Sequence, residues 1–168
     1  MLRFYFEVAR TAFRRQLIYR WANLAGLLTN VFFAILFSYF IIALYHARRV
    51  TGGYDVQDAL SYTWLVQAMI MFVLPFGWYD LMNTIRSGEV VSDLSKPCDF
   101  YGYWLSRELG RDCYFVLFRA VPTYVVGMLL FGLRTPGAWQ LWANYLLIIP
   151  IGALLGIAYR FLYNVVAF

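Results

Sequence analysis

The chain has 168 residues, of which 62% are hydrophobic and only 14% charged, and its formal net charge is +5. So little polar surface cannot cover a soluble globule, and the basic residues are scattered around apolar runs rather than gathered on one polar module, which excludes a nucleic-acid-binding domain. Aromatic residues make up 21%, including fourteen Tyr and six Trp, a composition suited to side chains with an apolar body in lipid and a polar tip among headgroups.

Residues 1–21 read as an amphipathic helix. At 100° per residue Arg3, Glu7, Arg10 and Arg14 share one narrow sector, and Leu2, Phe6, Ala9 and Phe13 share a second, apolar one. Arg3, Arg10 and Arg14 suit anionic headgroups while Phe6 and Phe13 suit the acyl boundary, so the helix is expected flat in the membrane interface. The same apolar stripe would also serve a partner protein.

Four stretches are then long enough to cross a hydrocarbon core, which takes roughly 20 apolar residues. They lie near 22–45, 60–79, 114–133 and 138–159. The fold class expected is all-α, a polytopic transmembrane helical bundle of four spans behind an interfacial helix. The short link Arg134-Thr135-Pro136-Gly137 makes the last two spans an antiparallel hairpin. Pro75, Pro122 and Pro150 interrupt spans, as static kinks or as hinges. Gly152 and Gly156 form a G-x-x-x-G step, a surface for close helix packing.

Orientation follows from Lys and Arg in the connections. Arg3, Arg10, Arg14, Arg15, Arg20, Arg86, Lys96, Arg107, Arg111 and Arg160 fall on one side, and Arg48, Arg49 and Arg134 on the other. Both ends are therefore expected in the cytoplasm. Cys98 and Cys113 then face a reducing compartment and match no zinc or redox spacing.

Ionisable groups inside a membrane usually mark catalysis or ion transport. Every acidic residue reads as a loop or flank position, so no carboxylate pair, His-based metal site or Ser-His-Asp set can be assembled in the bilayer, and an enzyme ranks last. A channel ranks above it but lacks a polar-lined span. Arg119 is the one charge within a span, either snorkelling to headgroups or meeting a substrate or partner.

The long connection 80–113 mixes charges with Val90, Val91, Leu94, Phe100, Tyr101 and Trp104 and reads as two short surface helices. They either tuck under the bundle or dock a soluble partner. Within it, Gly88-Glu89-Val90-Val91-Ser92-Asp93-Leu94-Ser95-Lys96-Pro97 resembles the coupling segment of membrane-spanning (permease) subunits of ABC transporters of the type 2, exporter-like family. Tyr19-Arg20-Trp21-Ala22-Asn23 at the first span and the ending Ala167-Phe168 are similar to that family as well.

The resemblance implies an amino-terminal "elbow" helix, a cytoplasmic coupling loop and a bacterial inner-membrane location. It implies Gly88, Glu89, Asp93, Leu94, Lys96 and Pro97 as the ATPase-coupling positions. It also implies two partners, a separate ABC ATPase and a second permease subunit, and no cofactor held by the chain itself. The sequence has no G-x-x-x-x-G-K-S/T, so ATP would be bound by the partner. Six spans are usual in such permeases, and this chain stops inside the apolar run Phe161–Phe168, so a partial chain is expected. The alternative is a non-transporting membrane anchoring or assembly subunit.

Overall fold

The computed structural model describes residues 2–47, 53–74 and 77–168. Arg48, Arg49 and Pro75, used above for orientation and for a kink, lie outside the described residues. Helix accounts for 84% of the described residues, with no strand among them. The helices are α1 (Leu2–Ile18), α2 (Arg20–Ala47), α3 (Val56–Val73), α4 (Asp80–Arg86), α5 (Val90–Leu94), α6 (Phe100–Phe115), α7 (Val121–Phe131) and α8 (Trp139–Val165). A π-helical turn, Val116–Ala120, joins α6 to α7.

Three of these helical stretches among the described residues are long and apolar enough to cross a membrane: Arg20–His46, Phe100–Phe131 and Trp139–Val165. Their faces are inverted relative to a soluble protein. On α2 the outward positions are Leu24, Leu28, Phe32, Phe33, Leu36, Phe37 and Phe40, whereas Ala34 and Ser38 are fully buried. Large apolar groups outside and small or polar groups inside suit lipid as the solvent, where helices meet through close packing and hydrogen bonds. The second stretch begins at Phe100, so residues 80–113 hold α4, α5 and most of α6 rather than two short helices alone.

The chain divides into two compact units. Unit 1 comprises 1–18, 72–114 and 148–168; unit 2 comprises 19–71 and 115–147. In unit 2 the core is Ala34, Leu60, Trp64 and Leu133, with Val31, Ile35, Tyr124 and Phe131 packed around it. Trp64 is fully buried, and its Nε1–H donates to Ser38 Oγ at 2.8 Å. Ser38 in turn donates to Ala34 O at 2.7 Å, so its hydroxyl serves both partners. The indole also explains Gly127: a Cβ there would overlap the Trp64 ring.

Local sequence sets the ends of several elements. Asp55 and Asp58 cap α3 reciprocally, each carboxylate accepting the other's backbone N–H at 2.9 and 3.2 Å. α7 stops at Gly132, whose φ of 58° would strain any residue with a Cβ and whose N–H donates to Met128 O. Pro122 has no N–H to give the turn before it, and the ladder there widens to the π form, with Val121 N–H donating to Val116 O.

Candidate functional site

Unit 1 is organised around charge. On α6, Trp104, Glu108, Arg111 and Asp112 recur at the three- and four-residue spacing of one helix face, and Ile157, Arg160 and Asn164 do the same on α8. Arg160 is 2% exposed. Its Nε donates to Glu108 Oε2 at 2.8 Å, one terminal nitrogen to Asp112 Oδ2 at 2.6 Å and the other to Phe72 O at 2.7 Å. Arg111 pairs with Glu108, approaches Asp112 at 3.9 Å and lies over the Trp78 ring at 4.0 Å.

Two cations and two anions thus balance inside the protein. Each would be costly to bury alone, and pairing with hydrogen bonds makes the set tolerable. This corrects the sequence reading, in which Glu108, Arg111 and Asp112 were loop charges and Arg160 merely followed the last span. The signal was the i, i+3, i+4 pattern of charges at the edge of an apolar run; what it lacked was a partner near in sequence.

Asn164 extends the cluster to α4. The residue before that helix, Tyr79, offers no side-chain cap. Asn164 Oδ1 instead accepts Met82 N–H at 2.9 Å, replacing the missing cap from a distance. Its Nδ2 donates to Trp78 O at 2.9 Å and to Arg160 O at 2.7 Å. One amide therefore ties the end of α8 to the start of α4.

The segment proposed for coupling follows directly. Gly88, at φ +77°, makes the left-handed turn between α4 and α5, and Glu89 stands at the cap position of α5. Within α5, Val90 and Asp93 are buried while Val91 and Leu94 are exposed, so the three apolar residues do not share a face. Asp93 pairs with Lys96 at 2.6 Å, and the ammonium sits 4.0 Å from the Tyr103 ring centre. Burial works against the charged Lys96, but its hydrogen bonds to Asp93 and Tyr103 outweigh that and hold its pKa above the usual lysine value. Pro97 lines a groove with Phe4, Tyr5 and Val8 of α1.

α1 turns Tyr5, Val8, Ala9, Ala12, Phe13 and Gln16 inward. Ala9 comes so close to Gly110 of α6 that a Cβ there would overlap the Ala9 carbonyl. Phe13 meets the Tyr114 ring edge-on at 5.7 Å, and Tyr5 Oη accepts Asp99 N–H at 3.3 Å. Phe13 is thus a packing residue, whereas Phe6 and Leu2 stay exposed beside Arg3, Arg10 and Arg14.

In unit 2, Arg119 is 6% exposed, and its guanidinium lies against Gly26 of α2 so closely that a Cβ there would overlap it. The side chain therefore turns into the protein, not out to headgroups. Arg134, in the link after α7, donates to Asp58 Oδ1 at 2.6 Å and Asp55 Oδ2 at 2.7 Å. Of the two glycines singled out on α8, Gly156 meets the backbone of Phe72 and Val73 in unit 1, where a Cβ would stand 2.8 Å from Phe72 O. Gly152 is half-buried.

Apolar outward faces on three spanning-length helices define an integral membrane protein of the α-helical class. No family model, no curated protein and no solved structure matches the chain.

Proposed function

We propose that this chain is a permease subunit of an ATP-driven ABC transport system, moving a substrate across a bacterial inner membrane together with a separate ATPase and a second permease subunit. In this reading the amino terminus is cytoplasmic, α1 lies in the interface, and α3 supplies a further span, giving four. α3 has 18 residues, about 27 Å at 1.5 Å per residue, close to the thickness of a hydrocarbon core. The exposed Leu2 and Phe6 beside Arg3, Arg10 and Arg14 support the interfacial placement of α1.

The observation that carries the reading is the surface of α5. A five-residue helix, anchored from beneath by Val90 and the Asp93–Lys96 pair, presents Val91 and Leu94 outward with Glu89 beside them. A small apolar pair on a rigidly seated element is what a soluble partner can cover. Gly88, Glu89, Asp93, Leu94, Lys96 and Pro97 then divide the labour: Glu89 and Leu94 for contact, Gly88, Asp93, Lys96 and Pro97 for holding the helix in place. Coupling requires that partner binding favour one of two arrangements of the bundle, typically by about 1–3 kcal/mol. The Asn164 amide, bonded to both α4 and Arg160, offers a physical link from the α4–α5 segment to α8.

The test is purification of the chain with the P-loop ATPase that accompanies it, followed by ATP turnover in nanodiscs. The double variant Val91→Asp with Leu94→Asp should bring turnover down to that of the isolated ATPase while membrane insertion is unchanged. Unaltered turnover, or capture of a partner without a P-loop, would favour the anchoring or assembly reading instead.

A further inference from the structure

Two tryptophans are equally deep and differ in one atom's surroundings. Trp64, in unit 2, is fully buried and its Nε1–H is bonded to Ser38 Oγ. Trp104, in unit 1, is 3% exposed and its Nε1–H meets no acceptor among the described residues. Folded proteins seldom keep a buried donor unsatisfied, because the group gives up water and receives nothing in return. Nothing else about Trp104 is loose: Arg107 lies over its ring at 4.2 Å.

Trp104 lines a cavity of about 20 Å³ together with Asp80, Glu108, Arg160 and Asn164. A single water needs roughly 10–15 Å³ and two to four polar partners, so the volume admits one water and no organic ligand. The walls decide the charge. A cation would face Arg160, an anion would face Asp80 and Glu108, and a neutral molecule that both accepts and donates is repelled by none of them.

We propose that one ordered water is a permanent member of the charge cluster, accepting from Trp104 Nε1–H and donating to the Glu108 and Asp80 carboxylates. The water joins α4 to α6 beside the point where Asn164 already links α4 to α8. It also gives Glu108, shared by Arg111 and Arg160, a further hydrogen bond, which lowers the cost of holding that carboxylate charged away from solvent.

The experiment is hydroxyl-radical footprinting of the unaltered chain in nanodiscs, with rapid mixing into H₂¹⁸O. Radicals form on the water nearest a residue, so Trp104 should be oxidised several-fold faster than the equally buried Trp64, with delayed uptake of ¹⁸O. Trp104 protected as well as Trp64, or labelled with ¹⁸O as fast as surface residues, would overturn the proposal. A second reading comes from the indole ¹⁵N–H resonances: a cross-peak from Trp104 to a slowly exchanging water, lost in Trp104→Phe, is expected. If Trp104→Phe fails to fold, the footprinting ratio decides alone.

Discussion

Unit 1 and unit 2 solve the same packing problem with opposite chemistry. Unit 2 closes around a neutral indole, a hydroxyl and small residues: Trp64 on Ser38, with Gly127 and Ala34 leaving room for the ring. Unit 1 closes around four charges, with Arg160 bonded to Glu108, Asp112 and Phe72 O. A neutral core fails gradually when altered, because each lost contact is small. A charged core is balanced only as a set, so a single deletion leaves an uncompensated ion.

The sharpest break in that contrast is Arg160→Leu. It strands Glu108 and Asp112 with Arg111 alone, and destabilisation of about 3–5 kcal/mol is expected by thermal unfolding in detergent. Arg160→Leu combined with Asp112→Leu keeps the remaining Glu108–Arg111 pair neutral and should recover a large part of the loss. If the double variant is no more stable than the single one, charge balance is not what organises unit 1.

Ser38→Ala probes unit 2 in the same assay. The Trp64 N–H would lose its acceptor while the ring stayed packed, at a cost of about 1–3 kcal/mol. A cost matching that of Arg160→Leu would erase the distinction between the units. Asn164→Leu comes next: losing the remote cap should destabilise by about 1 kcal/mol, with faster amide exchange in α4 as its local signature. Exchange rising equally throughout unit 1 would mean that Asn164 acts as general packing.

The smallest effect concerns the exposed cap of α3. The Asp58 backbone N–H holds the Asp55 carboxyl below its ordinary pKa, slight burial opposing and Arg134 adding to the effect. A carboxylate with a lowered folded pKa stabilises the protein above the unfolded pKa of about 3.9, and that contribution disappears as pH falls through the lower folded value. Stability of the wild type should therefore drop below pH 4 slightly more than that of Asp55→Asn. Identical acid limbs would show that the cap carries no linked proton.

Much of the architecture was legible from residue order. α2 announces itself through 24 uncharged residues, and α8 through its apolar length between Trp139 and Val165. The orientation of α1 was not. Its own periodicity set Phe6 and Phe13 on one apolar stripe, but Gly110 admits the α1 backbone at Ala9, and that docking turns Phe13 in and leaves Phe6 out. On α5, likewise, residue order did not say which side faces inward: Val90 and the Lys96-paired Asp93 are buried, while Val91 and Leu94 are exposed.

By itself the sequence determined the class of molecule: hydrophobic length sets which segments suit lipid, and that length is a local property readable one residue after another. Only the tertiary structure decided that Glu108, Arg111, Asp112 and Arg160 form one buried set. Charges on α6 and α8 stand some fifty residues apart along the chain, and a charge at the edge of an apolar run has the same local surroundings whether it faces water or an opposite ion.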